Sequence, residues 1–243
     1  MQLTKAEAAG KIMVALDYPT TDAAAALVQA LRGIPCWLKV GMQLYYAAGP
    51  SFVAQLKEQG YAVFLDLKLH DIPNTVKGAS EVITRLGVDL FNVHAAGGVR
   101  MMEAALEGVD RARAGSAGGA PPQVIGVTQL TSTSRETLNE EIGIAGTVED
   151  CVVRYAQLAH RAGLSGVVAS PLEVQAVKTA CGRAFRTVTP GIRPAGAEAG
   201  DQSRIMTPQQ ALACGTDYMV IGRPITGAPD PREALQSIIE ELV

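Results

Sequence analysis

Eight short apolar runs recur along the chain, and longer stretches with helical spacing of apolar residues lie between them. The runs fall at 12–16 (IMVAL), 37–40, 61–65, 90–94, 124–128, 166–169, 185–189 and 218–221. They are apolar at nearly every position instead of alternating with polar residues, which predicts strands covered on both faces, as in a parallel sheet. Among the intervening stretches, Val76, Ala79, Ile83 and Leu86 are spaced three, four and three apart, one face of a helix that Gly87 can end. Thr147 and Asp150 form a capping-box pattern ahead of an apolar stripe of Val148, Val152, Tyr155, Ala159 and Ala162, closing near Gly163. Asp230 and Pro231 predict the cap and first turn of a last helix carrying Leu235, Ile238, Ile239 and Leu242.

Eight strand–helix units in 243 residues predict a closed (β/α)8 barrel of the TIM type, an α/β fold in which residues 1–243 form a single domain. A doubly wound open sheet is the alternative. Two loops stand out. Residues 114–122 (AGSAGGAPP) predict a surface connection. Residues 194–203 (PAGAEAGDQS) follow the seventh strand, which in a barrel places them at the catalytic face, and their Gly/Ala content suits a mobile lid.

Composition narrows the function classes. Apolar residues make up 48% of the chain, enough for a sizeable core, and the net charge is −3. No segment is strongly basic, so nucleic acid is not an expected partner. Cys36, Cys151, Cys181 and Cys214 are scattered, without metal-ligand spacing or a disulfide framework, and point to a reducing compartment. The opening MQLTKAEAAGK lacks the apolar run of a signal peptide, and no stretch reaches the ~18 apolar residues of a membrane span. The expectation is a cytoplasmic protein with no membrane partner.

The densest chemical signal is residues 64–76, FLDLKLHDIPNTV. Side chains alternate along a strand, so Asp66 and Lys68 share a face at roughly 6–7 Å between Cα atoms, with Leu65, Leu67 and Leu69 opposite. Asp71 follows just past the strand end. A lysine between carboxylates stays protonated and can deliver a proton to a carbanion. The bland alternative is a buried ion-pair network that closes the barrel. Lys39 lies in the neighbouring predicted strand, within reach of Asp66 at ~4.8 Å between strands. Asp17 ends the first strand, a position for a substrate-binding residue or a helix cap. Gly222 and Arg223 follow the eighth strand and offer a backbone N–H beside a guanidinium, a phosphate cradle; Arg193 and Gln202 are available after the seventh. His70 and His94 read as structural or supporting residues, and His160 as an exposed helical one.

The stretches VALD, KVG, FLDLKLHDIPNTV, VTQLTS, VTPGIRP, GDQSRIMTP and DYMVIGRPIT together resemble the orotidine 5′-phosphate decarboxylase family, in the expected order over almost the whole chain. The resemblance implies decarboxylation of orotidine 5′-phosphate to uridine 5′-monophosphate without metal or cofactor. It implies that Lys39, Asp66, Lys68 and Asp71 form an alternating charged tetrad with Lys68 as proton donor. Asp71, Ile72 and Thr75 would come from the second subunit of a homodimer with shared active sites. Asp17 and Lys39 would hold the ribose hydroxyls and Thr131 would lie at the pyrimidine. Gln202, Gly222 and Arg223 would bind the phosphate, with Arg193 nearby. Two other readings remain: a magnesium-dependent barrel of the hexulose-phosphate synthase or ketogulonate-phosphate decarboxylase type, and a non-catalytic phosphoribosyl-binding barrel.

Overall fold

A computed structural model describes residues 2–114, 119–194 and 205–243. Eight strands form a closed parallel barrel: β1 Ile12–Ala15, β2 Trp37–Gly41, β3 Ala62–Leu69, β4 Leu90–His94, β5 Gln123–Val127, β6 Gly166–Val168, β7 Arg186–Thr189 and β8 Tyr218–Ile221. Each strand pairs with the next in chain order, and β8 closes on β1 with Val14 opposite Ile221. The open doubly wound alternative is thereby excluded.

Burial on both faces explains the unbroken apolar runs. Outward-facing Val14, Leu38, Val63, Leu65, Phe91 and Val167 pack against helix residues such as Leu27, Val53, Val76, Ile83 and Val152. Inward-facing Met13, Phe64, Leu90, Ile125 and Val188 fill the barrel as a second cluster. Complete burial of side chains this size contributes about 1.5–3 kcal/mol each. Below them Trp37 meets Tyr218 edge-on at 5.2 Å, and Arg186 Nη1 donates to Gln123 Oε1 and to the Tyr218 hydroxyl. The foot of the barrel is therefore plugged, and the interior opens at the C-terminal ends of the strands.

The helix Pro73–Arg85 starts on a proline and buries Val76, Ser80 and Ile83; Gly87, at φ 75°, follows its end. It lies tightly against the helix Val99–Arg113, because a Cβ on Gly108 would stand 2.3 Å from the Lys77 carbonyl oxygen. The helix Val148–Arg161 begins where Thr147 accepts from the Asp150 N–H, and the helix Pro231–Glu241 where Asp230 accepts from the Glu233 N–H.

One strand departs from the sequence expectation. β3 continues to Leu69, four residues beyond the apolar run, and its register against β4 shifts between Leu65 and Leu69. Asp66, Leu67 and Lys68 together face the single residue Asn92 across this bulge. Strict alternation of Asp66 and Lys68 on a regular strand is thus corrected. Lys68 has φ 55°, the one non-glycine residue with positive φ among the described residues.

Candidate active site

The top interior layer of the barrel is charged where the layer beneath is apolar. Period-two geometry carries the inward face from Trp37 to Lys39 on β2, from Phe64 to Asp66 on β3 and from Leu90 to Asn92 on β4. Asp17 hangs from the end of β1. The four charges form a row. Lys39 Nζ lies 3.1 Å from Asp17 Oδ1 and 3.3 Å from Asp66 Oδ2. Lys68 Nζ donates to Asp66 Oδ1 at 2.7 Å, and the same oxygen accepts from Asn92 Nδ2 at 2.7 Å. Gly41 keeps room for this row, since a Cβ there would stand 3.2 Å from Lys39 Nζ.

Electrostatics fixes the charge states. Burial works against the Lys39 ammonium, but the Asp66 and Asp17 carboxylates outweigh it and hold Lys39 above its ordinary value. Burial likewise opposes the Asp66 carboxylate, yet Lys39, Lys68 and the Asn92 amide keep its pKa below the usual range. Both groups are ionised at neutral pH. The lysine held between two carboxylates within this chain is Lys39, whereas the sequence placed Lys68 between Asp66 and Asp71. His94, half-buried at the end of β4 with its ring 5.4 Å from that of His70, is pushed down by burial, then by His70 and Lys68. It is neutral at physiological pH.

The row forms one wall of a cavity of about 650 Å³. Apolar lining comes from Ala15, Phe64, Val127, Val168 and Val220, and polar lining from Thr131, Arg193, Gly222 and Arg223. Thr128, three residues before Thr131, is committed to the barrel wall, its hydroxyl donating to the Val168 carbonyl at 2.7 Å. The structure therefore brings Asp17, Lys39, Asp66, Lys68, Thr131, Arg193, Gly222 and Arg223 to one space. Gln202 lies outside the described residues, as do residues 195–203 of the expected lid; Pro194 is described. Asp71, Ile72 and Thr75 do not reach this chain's own cavity. They are exposed at the start of the helix Pro73–Arg85, where Asp71 Oδ1 accepts from the Ile72 N–H at 2.6 Å and Ile72 is 67% exposed.

Asn92 escaped the sequence reading although a signal existed: an amide in the middle of the apolar run LFNVH, at inward parity with Leu90. Buried polar groups require partners, so an amide at that position announces a polar layer inside the barrel.

Charged walls, an apolar floor and paired arginines suit a flat polar heterocycle joined to an anionic tail. Known proteins agree with this geometry. The chain matches the family described as "Orotidine 5'-phosphate decarboxylase / HUMPS family" over residues 10–238. Orotidine 5′-phosphate decarboxylase of Moorella thermoacetica is 51% identical over 241 residues, 99% of this chain and 95% of that protein. The Geobacillus thermodenitrificans protein of the same name is 53% identical over 230 residues, covering 94% and 95%. The crystal structure of orotidine 5′-phosphate decarboxylase from Lactobacillus acidophilus superposes with a TM-score of 0.85 at 38% identity, covering 95% and 98% of the two chains. A match over almost the full length, with relatives more than half identical, means that this chain belongs to the orotidine 5′-phosphate decarboxylase / HUMPS family.

Proposed function

We propose that the chain is an orotidine 5′-phosphate decarboxylase, a single barrel domain that converts orotidine 5′-monophosphate to uridine 5′-monophosphate in pyrimidine nucleotide synthesis. The observation that carries this reading is the row Asp17–Lys39–Asp66–Lys68 on the wall of a cavity that also holds Arg193 and Arg223. In the reaction the bond between the pyrimidine ring and its carboxylate breaks, CO2 leaves, and the electron pair stays on a ring carbon. The Lys68 ammonium faces that developing charge, stabilises it and transfers a proton to the carbon; the resulting amine regains its proton from water. Fixed charge in place before the reaction needs no reorganisation as the carbanion forms. Asp66 holds Lys68 by the 2.7 Å hydrogen bond and also lies beside the substrate carboxylate.

Asp17 and Lys39 bind the ribose hydroxyls and Thr131 lies at the pyrimidine. Gly222 and Arg223, with Gln202 and Arg193, take the phosphate, whose remote binding energy lowers the barrier at the ring. The exposed Asp71, Ile72 and Thr75 complete the site of a second copy, making a homodimer with shared active sites. The chemistry runs without cofactor or metal, because the lysine ammonium groups already occupy the neighbourhood of the carboxylates. The four free cysteines support a cytoplasmic location. No helix among the described residues is long and apolar enough to cross a membrane.

Loss of orotidine 5′-monophosphate absorbance on addition of purified protein in EDTA tests the proposal. Turnover that collapses in EDTA and returns with magnesium would move the chain to the metal-dependent branch. Binding of uridine 5′-monophosphate with no turnover would leave a phosphoribosyl-binding barrel.

A further inference from the structure

We propose that Asn92 is the positioning residue that sets the Lys68–Asp66 pair, by holding the backbone of one and the carboxylate of the other with a single amide. Asn92 is 1% exposed and does not line the cavity, so it acts through its neighbours and not on substrate. Its Oδ1 accepts from the Lys68 backbone N–H at 2.8 Å, and its Nδ2 donates to Asp66 Oδ1 at 2.7 Å. The amide orientation is forced, because a backbone N–H can only donate and an ionised carboxylate can only accept.

The need for this amide follows from the bulge. A regular β3 would point Lys68 along the strand face, roughly 6–7 Å from Asp66 at the backbone. The bulge instead turns Lys68 into the left-handed region at φ 55°, which a non-glycine residue adopts at a cost of about 1–3 kcal/mol. The same distortion takes the Lys68 N–H out of regular pairing with β4. Asn92 sits opposite the bulge and supplies the missing acceptor from its side chain. Its other end adds a second hydrogen bond to the oxygen that receives the Lys68 ammonium, so Asp66 cannot rotate away. One residue thus fixes both members of the pair relative to the barrel.

This inference rests on the decarboxylase reading, and turnover by the wild-type protein tests that reading separately. Given an active wild type, Asn92→Ala is expected to lower kcat by about 100-fold, the scale of a misplacement near 1 Å, with KM and the Kd for uridine 5′-monophosphate within about threefold. A kcat within about threefold of wild type, or a loss confined to KM, overturns the proposal. Asn92→Asp covers the case in which the alanine protein does not fold. It keeps the shape and the acceptor for the Lys68 N–H but turns a carboxylate oxygen toward Asp66. Two adjacent carboxylates share a proton, and the protonated form restores the donor. The groups facing this site are Asp66, Lys39, Lys68, His94 and His70; wild type carries the same ones, so the ratio of the two enzymes isolates residue 92. From about pH 8 to about pH 5, kcat of the aspartate variant relative to wild type is expected to rise about tenfold or more. A ratio independent of pH overturns the proposal, because a purely structural defect would not respond to that proton.

Discussion

Aspartate–lysine pairs occur at both ends of the barrel, and they differ in what else they touch. At the foot, Asp89 accepts from Lys57 and from the Val63 N–H, while Lys57 also donates to the Tyr61 carbonyl. Asp217 accepts from Lys178 at 2.6 Å and from the Thr187 N–H at 2.8 Å, and Lys178 donates to the carbonyls of Arg183 and Phe185 as well. Each foot pair ties a helix end to two adjacent strands and uses its donors on the backbone. Both follow the sequence Gly-x-Asp, with Gly87 and Gly215 at positive φ, so one device appears in each half of the barrel. At the mouth, Asp66 is the one acceptor of the Lys68 ammonium among the described residues, which leaves its other N–H bonds facing the cavity there. Residue types are the same at both ends. What differs is the use of the ammonium: at the foot it is also tied to backbone carbonyls, at the mouth it faces a cavity.

Substituting the lysines breaks the comparison most sharply. Lys68→Ala is expected to reduce turnover at least about 10⁴-fold, since it removes both the proposed proton donor and the charge proposed to face the carbanion. Binding of uridine 5′-monophosphate and the melting temperature should stay close to wild type. Retained turnover would make the mouth pair a fastener too.

The proposed sharing of the mouth between two copies is expected to give the next largest effect. Lys68→Ala and Asp71→Ala proteins, each expected to be inactive, are mixed under conditions that exchange subunits. About a quarter of wild-type sites should return, because each heterodimer has one intact site and heterodimers form half the population. Proven exchange without recovery would leave Asp71 outside the site.

Arg223→Ala should raise KM by about 10–100-fold, the loss of a charge-assisted hydrogen bond, with a smaller fall in kcat. An unchanged KM would remove Arg223 from the phosphate cradle.

Lys178→Ala is the converse experiment at the foot. Stability should fall by about 1–3 kcal/mol, a drop in Tm of roughly 2–10 °C, with kcat/KM within about twofold of wild type. A large loss of activity in folded protein would erase the distinction between the ends.

The pH dependence of stability sharpens the same point. Asp66 has its folded pKa below the ordinary 3.8, so its stabilisation is present above that value and is lost as pH falls through the lowered one. Lys39 has its folded pKa above the ordinary 10.5, so its stabilisation is present below that value and is lost as pH rises through the raised one. The stability difference between wild type and Asp66→Asn should be flat through neutral pH and shrink below about pH 4. A difference that instead changes near neutral pH would contradict an ionised row.

The barrel was legible in the chain because its cause is local. Strands covered on both faces must be apolar throughout, and the caps at Thr147 and Asp230 act within three residues. The candidate residues were legible as types at strand ends and as a family resemblance. The end of β3 was not, because its last residues bulge out of register with β4 and no local period records that. Asn92 was missed for a related reason: its partners lie 24 and 26 residues away on another strand.

The sequence by itself therefore determined the closed barrel, its apolar floor and the inventory of ammonium, guanidinium and carboxylate groups at its mouth. Tertiary structure alone decided the pairing: Lys39 between Asp17 and Asp66, Lys68 on Asp66, Asn92 behind both, and Asp71 away from its own chain's cavity. The physical reason is range. Burial periodicity acts between neighbours a few residues apart, whereas Coulomb and hydrogen-bond energies depend on distances across strands, which exist only once the barrel has closed.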